Sequence, residues 1–248
     1  MTILYKFRQY IASSPIFAFN QVFRDRWVAK QAASLEPGSR VLDVGAGSCP
    51  YRSLFSHCDY RAQDFTMLEG SQLRYGGYGI IDYVCDINSI PVAAASFDAI
   101  LCTEVLEHLP EPISAVRELA RLLRPGGRIF LTAPLGSGIH QDPFHFYGGF
   151  TPHWYRRFLF EAGFEHIRIE ANGGFYRHFG QESLRFILMT RPFTSGMPVW
   201  LTLAAAPVWL FAAPFFGILV PIICSILDRF DGEKRFTVGY HVTARRCE

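Results

Sequence analysis

From Arg40 onward the chain alternates short apolar runs with longer mixed segments, and this alternation limits the possible fold more than any other feature. The runs are bounded by Gly, Pro and Asp, and they lie in RVLDVGAG, CDYRAQDF, GIIDYVCDI, FDAILCTEV and GRIFLTAP. Short apolar runs of this kind are typical of strands buried on both faces of a parallel sheet. Because parallel strands need a crossover between them, the pattern predicts an α/β fold.

The remaining periodic segments complete this pattern. ISAVRELARLLRPGG has apolar residues at helical spacing, and Pro125 with Gly126 predicts its end. TPHWYRRFLFEAG predicts a second helix, with Thr151 as N-cap and Gly163 as its stop. FEHIRIEA predicts a sixth strand, and the alternating RFTVGYHVTARR predicts a half-buried seventh. Ligands bind beyond the carboxyl ends of such strands, so functional residues are expected there.

A long uncharged segment, residues 192–227, separates the last two predicted strands. One membrane crossing needs about 20 apolar residues, but it would place the seventh strand across the membrane from its sheet. Prolines interrupt the run at Pro207, Pro214 and Pro221. We therefore expect two short helical arms that turn near residues 214–217 and enter one leaflet, giving membrane association through 197–227. The alternative is a hydrophobic cap buried in a soluble protein or a dimer interface.

The first 36 residues mix basic and aromatic side chains, and two interpretations stay open. The basic residues are Lys6, Arg8, Arg24 and Arg26, and the aromatic ones include Phe7, Tyr10, Phe17, Phe19, Phe23 and Trp27. Such a stretch can lie on anionic lipid as an amphipathic segment, or it can form a leading helix packed over a pocket. The predicted parts are thus 1–36, a main domain of 37–180 with 231–248, and a hydrophobic helical insertion at 181–230.

Charge and cysteine content exclude several classes of protein. The 24 Lys and Arg residues nearly balance 22 Asp and Glu, and no basic stripe is present, so nucleic acid is not an expected partner. The six cysteines form no CxxC pair, which indicates a reducing compartment and no zinc site. Ser13, Ser14 and Pro15 break the N-terminal apolar run, so we expect no secretory signal and a cytoplasmic location.

The motif VLDVGAGSCP places Gly45 and Gly47 directly after the first strand, where backbone amides can approach a ligand closely. A dinucleotide site would favour a third glycine at the position of Pro50. Asp43 would repel a pyrophosphate, but it can accept hydrogen bonds from an ammonium group. The motif therefore predicts a nucleoside ligand that carries a cationic amine.

Two further aspartates end predicted strands. Asp64 ends the second strand, where a carboxylate can bind both hydroxyls of a ribose. Asp86 ends the third strand, where it can accept from an adenine amino group while Ile87 packs on the ring. Either aspartate, taken alone, is equally consistent with an ordinary solvated loop residue.

Together, the blocks VLDVGAG, CDI, SFDAILCTEVLEHLPEP and ELARLLRPGGRIFLTAP resemble the class I S-adenosylmethionine-dependent methyltransferases, in particular the group of ubiquinone and menaquinone biosynthesis enzymes. The resemblance covers residues 35–163. It implies a Rossmann-like seven-stranded, mostly parallel sheet with helices on both faces, and S-adenosyl-L-methionine as cofactor. This sequence has Ala46 with Ser48 and Cys49 in place of the family's glycine-rich tail, although both essential glycines are kept.

The resemblance also implies a role for each predicted cofactor residue. The methionine moiety would be held by Asp43, Gly45, Ala46 and Gly47. Asp64 would bind the ribose, Asp86 and Ile87 would bind the adenine, and Thr103 with Glu104 would line the floor beside the sulfonium.

Methyl transfer from a sulfonium is an in-line displacement, so the protein mainly supplies alignment, and a general base adds less. The best candidates for that base are His140 and His145, in the loop LGSGIHQDPFHFYGGFT after the fifth strand. The alternative is that these histidines shape an aromatic pocket. Glu104, Glu107 and His108 would share one face of a helix and could bind a divalent ion, but the same block resembles metal-free relatives. We expect no metal.

The sequence thus predicts a cytoplasmic S-adenosylmethionine-dependent methyltransferase, peripheral or monotopic at the inner face of the membrane. Its acceptor is expected to be small or lipid-like, with oxygen as the methylated atom. The alternative from another class is a non-catalytic methyltransferase-like scaffold at the membrane. A nicotinamide oxidoreductase is disfavoured by Pro50 and Asp43. The oligomeric state stays open.

Overall fold

The computed structural model describes residues 13–192, 196 and 198–248. The chain forms two compact units. One comprises Arg24–Glu170 with Gly239–Glu248, and the other comprises Met1–Phe23 with Ala171–Val238. These borders fall at other residues than the predicted ones at 36, 180 and 230, and the division into three functional parts stays a prediction. Residues 1–12, which include Lys6 and Arg8 of the predicted amphipathic segment, lie outside the part of the chain that the structure describes.

The first unit is built on a seven-stranded sheet, as predicted. Its strands are β1 (Arg40–Val44), β2 (Asp59–Asp64), β3 (Tyr83–Val84), β4 (Phe97–Thr103), β5 (Leu123–Pro134), β6 (Phe164–Ala171) and β7 (Gly239–Arg246). Their order is β3-β2-β1-β4-β5-β7-β6. The pairs among β1 to β5 are parallel, and β7 runs antiparallel to β5. The predicted Rossmann-like, mostly parallel sheet is therefore confirmed.

Three helices accompany these strands: α1 (Phe19–Ala33), α2 (Pro112–Leu122) and α3 (Pro152–Glu161). Helix α2 buries the apolar stripe that its sequence predicts, since Val116, Leu119 and Leu122 are fully buried. Thr151 caps α3 as predicted, and its hydroxyl accepts from the Trp154 N–H.

Strand β3 is much shorter than the run GIIDYVCDI suggested. It keeps two residues, which pair with β2 at the sheet edge. Just before β3, the Asp82 carboxylate accepts from the Ala62 N–H. In a longer edge strand, a backbone carbonyl would be the acceptor for this N–H. All six cysteines are free thiols in this structure.

The second unit contains α4 (Phe175–Met189) and a long apolar helix. This helix runs from Val199 to Phe230 through α5 (Val199–Pro214), a π-helical stretch (Phe215–Leu219), α6 (Val220–Leu227) and a final 3-10 turn. It is long and apolar enough to cross a membrane, judged by length and composition alone. Only 17% of its most apolar window is buried in the protein.

The predicted turn near residues 214–217 is wrong, because the helix continues through this point. In an α-helix, Pro221 would crowd the carbonyl of Gly217 and leave one carbonyl without a donor. The π-helical stretch relieves this crowding, since the Val220 N–H donates to the Phe215 carbonyl five residues earlier. The proline therefore widens one turn instead of reversing the chain.

Candidate functional site

The loop after β1 has the backbone conformation that its glycines predict. Gly45 and Gly47 have φ angles of 64° and 51°, in the left-handed region that side chains disfavour. A Cβ atom at Gly45 would overlap the Cγ2 atom of Val105, which follows β4. Only glycine fits at this position, and no side chain at Gly45 or Gly47 keeps a ligand away from the loop.

Side chains at the end of β2 hold this loop. The Gln63 side chain accepts from the Gly45 N–H at 3.3 Å, and the Gln63 carbonyl accepts from the Ala46 N–H at 3.0 Å. One Asp64 oxygen accepts from the Gly47 N–H and the other from the Thr66 N–H, both at 2.9 Å. Burial raises the pKa of Asp64. Asp64 is thus a loop anchor in this structure, and its contact with a ribose stays a prediction.

Asp43 lies fully buried beside the same loop and accepts a hydrogen bond from the Tyr60 hydroxyl. Burial raises the pKa of Asp43 to about 7, and the charge of Asp64 adds to this, although the Tyr60 hydrogen bond opposes it. A buried carboxyl of this kind gains from a cationic partner, because the partner stabilises its charged form. Asp43 can therefore attract an ammonium group.

The predicted adenine residues follow β3. Asp86 is exposed, and its Oδ1 atom accepts from the Asn88 N–H at 2.7 Å and from the Asn88 side-chain amide at 3.0 Å. Ile87 is buried beside it. The structure thus places a carboxylate and an apolar side chain next to each other at the end of β3, as the adenine interpretation requires.

Thr103 ends β4, and Glu104 follows with a φ of 53°. The Glu104 carboxylate accepts from the Thr132 hydroxyl at 2.8 Å and forms an ion pair with Arg24 at 3.0 Å. Arg24 belongs to α1, which the sequence interpretation assigned to a lipid-facing or pocket-covering segment. Its contact with the predicted sulfonium floor was missed, since no local pattern links residues so far apart in the chain.

A second ion pair joins α1 to the same region. Arg74 binds Asp25 at 2.7 Å, and the Tyr51 hydroxyl donates to Asp25 at 2.8 Å. The sequence analysis did not single out these three residues. Together with the pair of Arg24 and Glu104, they fix α1 over the ends of β1 and β4.

Three histidines meet after β4 and β5. The ring centroid of His140 lies 4.7 Å from that of His108 and 4.6 Å from that of His145. Burial lowers the pKa of His108 to about 4, and the neighbouring His140 and His145 contribute to this. Burial and His140 also lower the pKa of His145, whose Nε2 atom lies 3.1 Å from the Ser137 hydroxyl. The predicted base candidates His140 and His145 are therefore adjacent, and the lowered pKa of His145 favours its neutral form.

Glu107 is almost fully buried next to this cluster. Its Oε1 atom lies 3.7 Å from His108 Nε2, and Oε2 has no hydrogen-bond partner among the described residues. Burial raises the pKa of Glu107 well above its usual range. Donor atoms of Glu107, His108 and His140 lie within 4.8 Å of one another, so these residues could hold a divalent ion.

Glu104 is not part of that group, because its carboxylate faces Arg24 and Thr132. The segment after it forms one 3-10 turn, Leu106–His108, so the predicted shared helix face of Glu104, Glu107 and His108 does not form. The expectation that no metal binds stays a prediction.

Comparisons with known proteins agree on the type of domain. Residues 42–131 match the family described as "Methyltransferase domain". The ubiquinone biosynthesis O-methyltransferase of Xanthomonas axonopodis is 33% identical over 132 residues, which cover 48% of this chain and 51% of that protein. The ubiquinone/menaquinone biosynthesis C-methyltransferase of Desulfotalea psychrophila is 36% identical over 131 residues, covering 49% and 52%. The chain thus spans about half the length of the curated relatives it matches.

Solved structures share the fold of this chain. The solved structure of a SAM-dependent methyltransferase from Archaeoglobus fulgidus matches with a TM-score of 0.55 at 12% identity, covering 99% of this chain and all of that one. At this identity the match shows the shared fold. Sequence and structure therefore agree on the domain that the motifs around Gly45 and Glu104 indicated.

Proposed function

We propose that this chain, which carries a class I methyltransferase domain, transfers a methyl group from S-adenosylmethionine to a small or lipid-like acceptor. One observation carries the proposal. A glycine loop that a ligand can approach closely, because Gly45 and Gly47 carry no side chains, lies beside Asp43, a buried carboxyl that gains from a cationic partner. Asp64 anchors the loop where a nucleoside would lie.

Each cofactor residue then has a chemical task. Asp43 accepts hydrogen bonds from the ammonium group of the methionine moiety, and the loop of Gly45, Ala46 and Gly47 lets this moiety approach the backbone closely. Asp64 binds the ribose hydroxyls. The adenine is bound by Asp86 and Ile87, while Thr103 and Glu104 line the floor below the sulfonium.

The cofactor supplies an activated methyl group, which leaves the sulfonium as the acceptor atom attacks in line. Alignment of the two reactants is worth about 7 to 11 kcal/mol, so positioning dominates the barrier. His145 and His140 are the proposed bases that take the acceptor's proton. The lowered pKa of His145 favours its neutral form, which can accept a proton.

Oxygen is the proposed acceptor atom. The name of the Xanthomonas relative supports this, since it describes an O-methyltransferase of ubiquinone biosynthesis. The proposed location is cytoplasmic, at the inner face of the membrane, where the exposed apolar helix Val199–Phe230 would meet lipid. A lipid-like acceptor fits such a location.

The rival is a non-catalytic scaffold that has kept the fold and lost the cofactor. Thermal unfolding separates the two proposals. S-adenosylhomocysteine at about 100 times its dissociation constant should stabilise the protein by roughly 2.7 kcal/mol, whereas NADH should not. Asp86→Asn should reduce this shift. Asp59→Asn, an exposed aspartate at the opposite end of β2, should leave it unchanged. No shift with S-adenosylhomocysteine would favour the scaffold.

A further inference from the structure

Helix α5 is apolar on every side and exposed around most of its circumference. Val199, Trp200 and Leu201 are each exposed, and they point in three directions about 100° apart. The fourth direction is covered by the protein itself, since Thr202 is buried. A protein partner with one flat face would cover only part of the exposed apolar surface, whereas a surrounding apolar medium covers all of it. Hydrocarbon is such a medium.

The base of this helical unit is closed. The Thr237 hydroxyl donates to the Asn172 carbonyl at 3.1 Å, and the Asp228 carboxylate accepts from the Gly174 N–H at 3.0 Å. The chain therefore enters and leaves the unit at one place, between the neighbouring strands β6 and β7. A single crossing of a membrane is excluded by this connection.

Two crossings do not fit either. The first arm of the pair, α4, has 15 residues and is about 22 Å long, whereas the hydrocarbon core is about 30 Å thick. It also carries an ion pair between Arg185 and Glu182 near its middle. Charged side chains at that depth are costly in a bilayer.

Side chains within the helix pair donate hydrogen bonds to two of its backbone carbonyl groups. Pro221 cannot donate to the Phe216 carbonyl in the π-helical stretch, and the Ser183 hydroxyl of α4 donates to it instead, at 2.9 Å. The Trp209 ring nitrogen donates to the Ile187 carbonyl near the end of α4, at 3.2 Å. In lipid, such groups must find partners inside the protein.

We infer that the helix pair enters one leaflet with the end of α4 near Met189 and the start of α5 at Val199 first and returns without crossing, so that α5 lies in hydrocarbon and the Asp228 end stays outside. This inference rests on the membrane association proposed above. Helix α5 has 16 residues and is about 24 Å long, which is more than one leaflet and less than the whole core. The helix therefore tilts, and Trp200 lies deeper than Trp209.

Depth-dependent quenching of tryptophan fluorescence tests this order. The full chain is bound to phosphatidylcholine vesicles whose lipids carry a nitroxide either near the headgroup or near the end of the acyl chain. The difference in quenching between the wild type and Trp200→Phe isolates Trp200, and it should be largest with the deep nitroxide. The corresponding difference for Trp209→Phe isolates Trp209, and it should be largest with the shallow nitroxide. The reverse order would show a spanning hairpin, and no quenching of either would show a buried cap; both overturn the inference.

A matched pair of charge substitutions separates this inference from the methyltransferase proposal. Leu203→Glu, at an exposed position near the deep end of α5, should weaken vesicle flotation about a hundredfold, because a charge in hydrocarbon is costly. Phe160→Glu, at an exposed position of α3, should leave flotation unchanged. Both variants should keep their thermal shift with S-adenosylhomocysteine. If the two variants float equally well, only the insertion is overturned. If the wild type shows no thermal shift with S-adenosylhomocysteine, only the methyltransferase proposal is overturned.

Discussion

The guanidinium of Arg24 and the carboxylate of Glu104 form an ion pair of 3.0 Å that ties helix α1 to the end of β4. Glu104 holds a left-handed backbone conformation, and its carboxylate is shared with the Thr132 hydroxyl. The floor of the proposed sulfonium site is thus fixed from two directions, by the sheet and by the first described helix.

Breaking this pair should cost stability. Arg24→Met leaves a half-buried carboxylate without its cation, so we expect the free energy of unfolding to fall by about 1 to 3 kcal/mol in urea titrations. Adding Glu104→Gln should recover part of the loss. The control is Arg157→Met, which breaks an exposed pair with Glu161 and should cost about 0.5 kcal/mol or less. Equal losses in the two single variants would contradict a structural role for Arg24.

The glycine at position 45 should be replaceable only at high cost. Gly45→Ala adds left-handed strain of about 1 to 2 kcal/mol and an overlap with Val105 worth about 1 to 3 kcal/mol more. Gly38→Ala carries the strain without the overlap, because nothing lies within 4 Å of its new Cβ. Calorimetry should show that Val105→Ala rescues Gly45→Ala in part. A failure of this rescue would mean that the overlap does not limit the loop.

Cofactor affinity should depend on pH through Asp43. Its pKa near 7 in the free protein means that the carboxyl is protonated below that pH, whereas an ammonium ligand prefers the charged form. Titration calorimetry should therefore show S-adenosylhomocysteine binding more tightly as pH rises from 6 to 8, by roughly tenfold per unit at most. In Asp43→Asn this dependence should flatten. An unchanged profile in the variant would assign the titration to another group.

The same carboxyl should affect folding in the opposite sense. Because its folded pKa is raised above the unfolded value of 3.8, the folded protein binds more protons than the unfolded chain between about pH 4 and 7. The contribution of Asp43 to stability is full below this range and is lost as pH rises through it. Urea titrations of the ligand-free protein should show this loss in the wild type and not in Asp43→Asn.

The expectation that no metal binds can be tested at the cluster of Glu107, His108 and His140, whose ligand atoms lie close enough to hold an ion. Zn²⁺ should leave the melting temperature of the wild type unchanged, because an ion that binds only the folded state would raise it. A rise that a chelator reverses would contradict the expectation. If His140→Ala removed that rise while His57→Ala, at an exposed position, kept it, the cluster would be the metal site, with the buried Glu107 oxygen that has no described partner as one ligand.

The sheet and the cofactor loop could be predicted because their signals are local. The short apolar runs mark buried strands, and Asp43, Gly45 and Gly47 lie within one motif at the end of one of them. The ion pair of Arg24 with Glu104 could not be predicted in this way. It joins residues far apart in the chain, and only the tertiary packing of α1 brings them together.

The long helix shows a different limit of prediction. Pro214 and Pro221 favour a break when the segment is considered alone. In the structure, a donor from outside the segment, the Ser183 hydroxyl, binds the carbonyl that Pro221 leaves without a partner. Whether a proline ends a helix or only widens it depends on such neighbours, which a local pattern does not contain.

The hydrogen bond between Thr237 and Asn172 also affects how this architecture can be rearranged. Because this hydrogen bond brings the two ends of the helical unit together, the distance that a connection between the flanking strands must span is short. The helical unit can therefore be excised by joining its ends through a short turn, or transferred to another sheet with a similar gap between neighbouring strands. Attachment to a surface and the chemistry of the sheet are in this sense separable, and a shortened chain would show how well each part folds and works without the other.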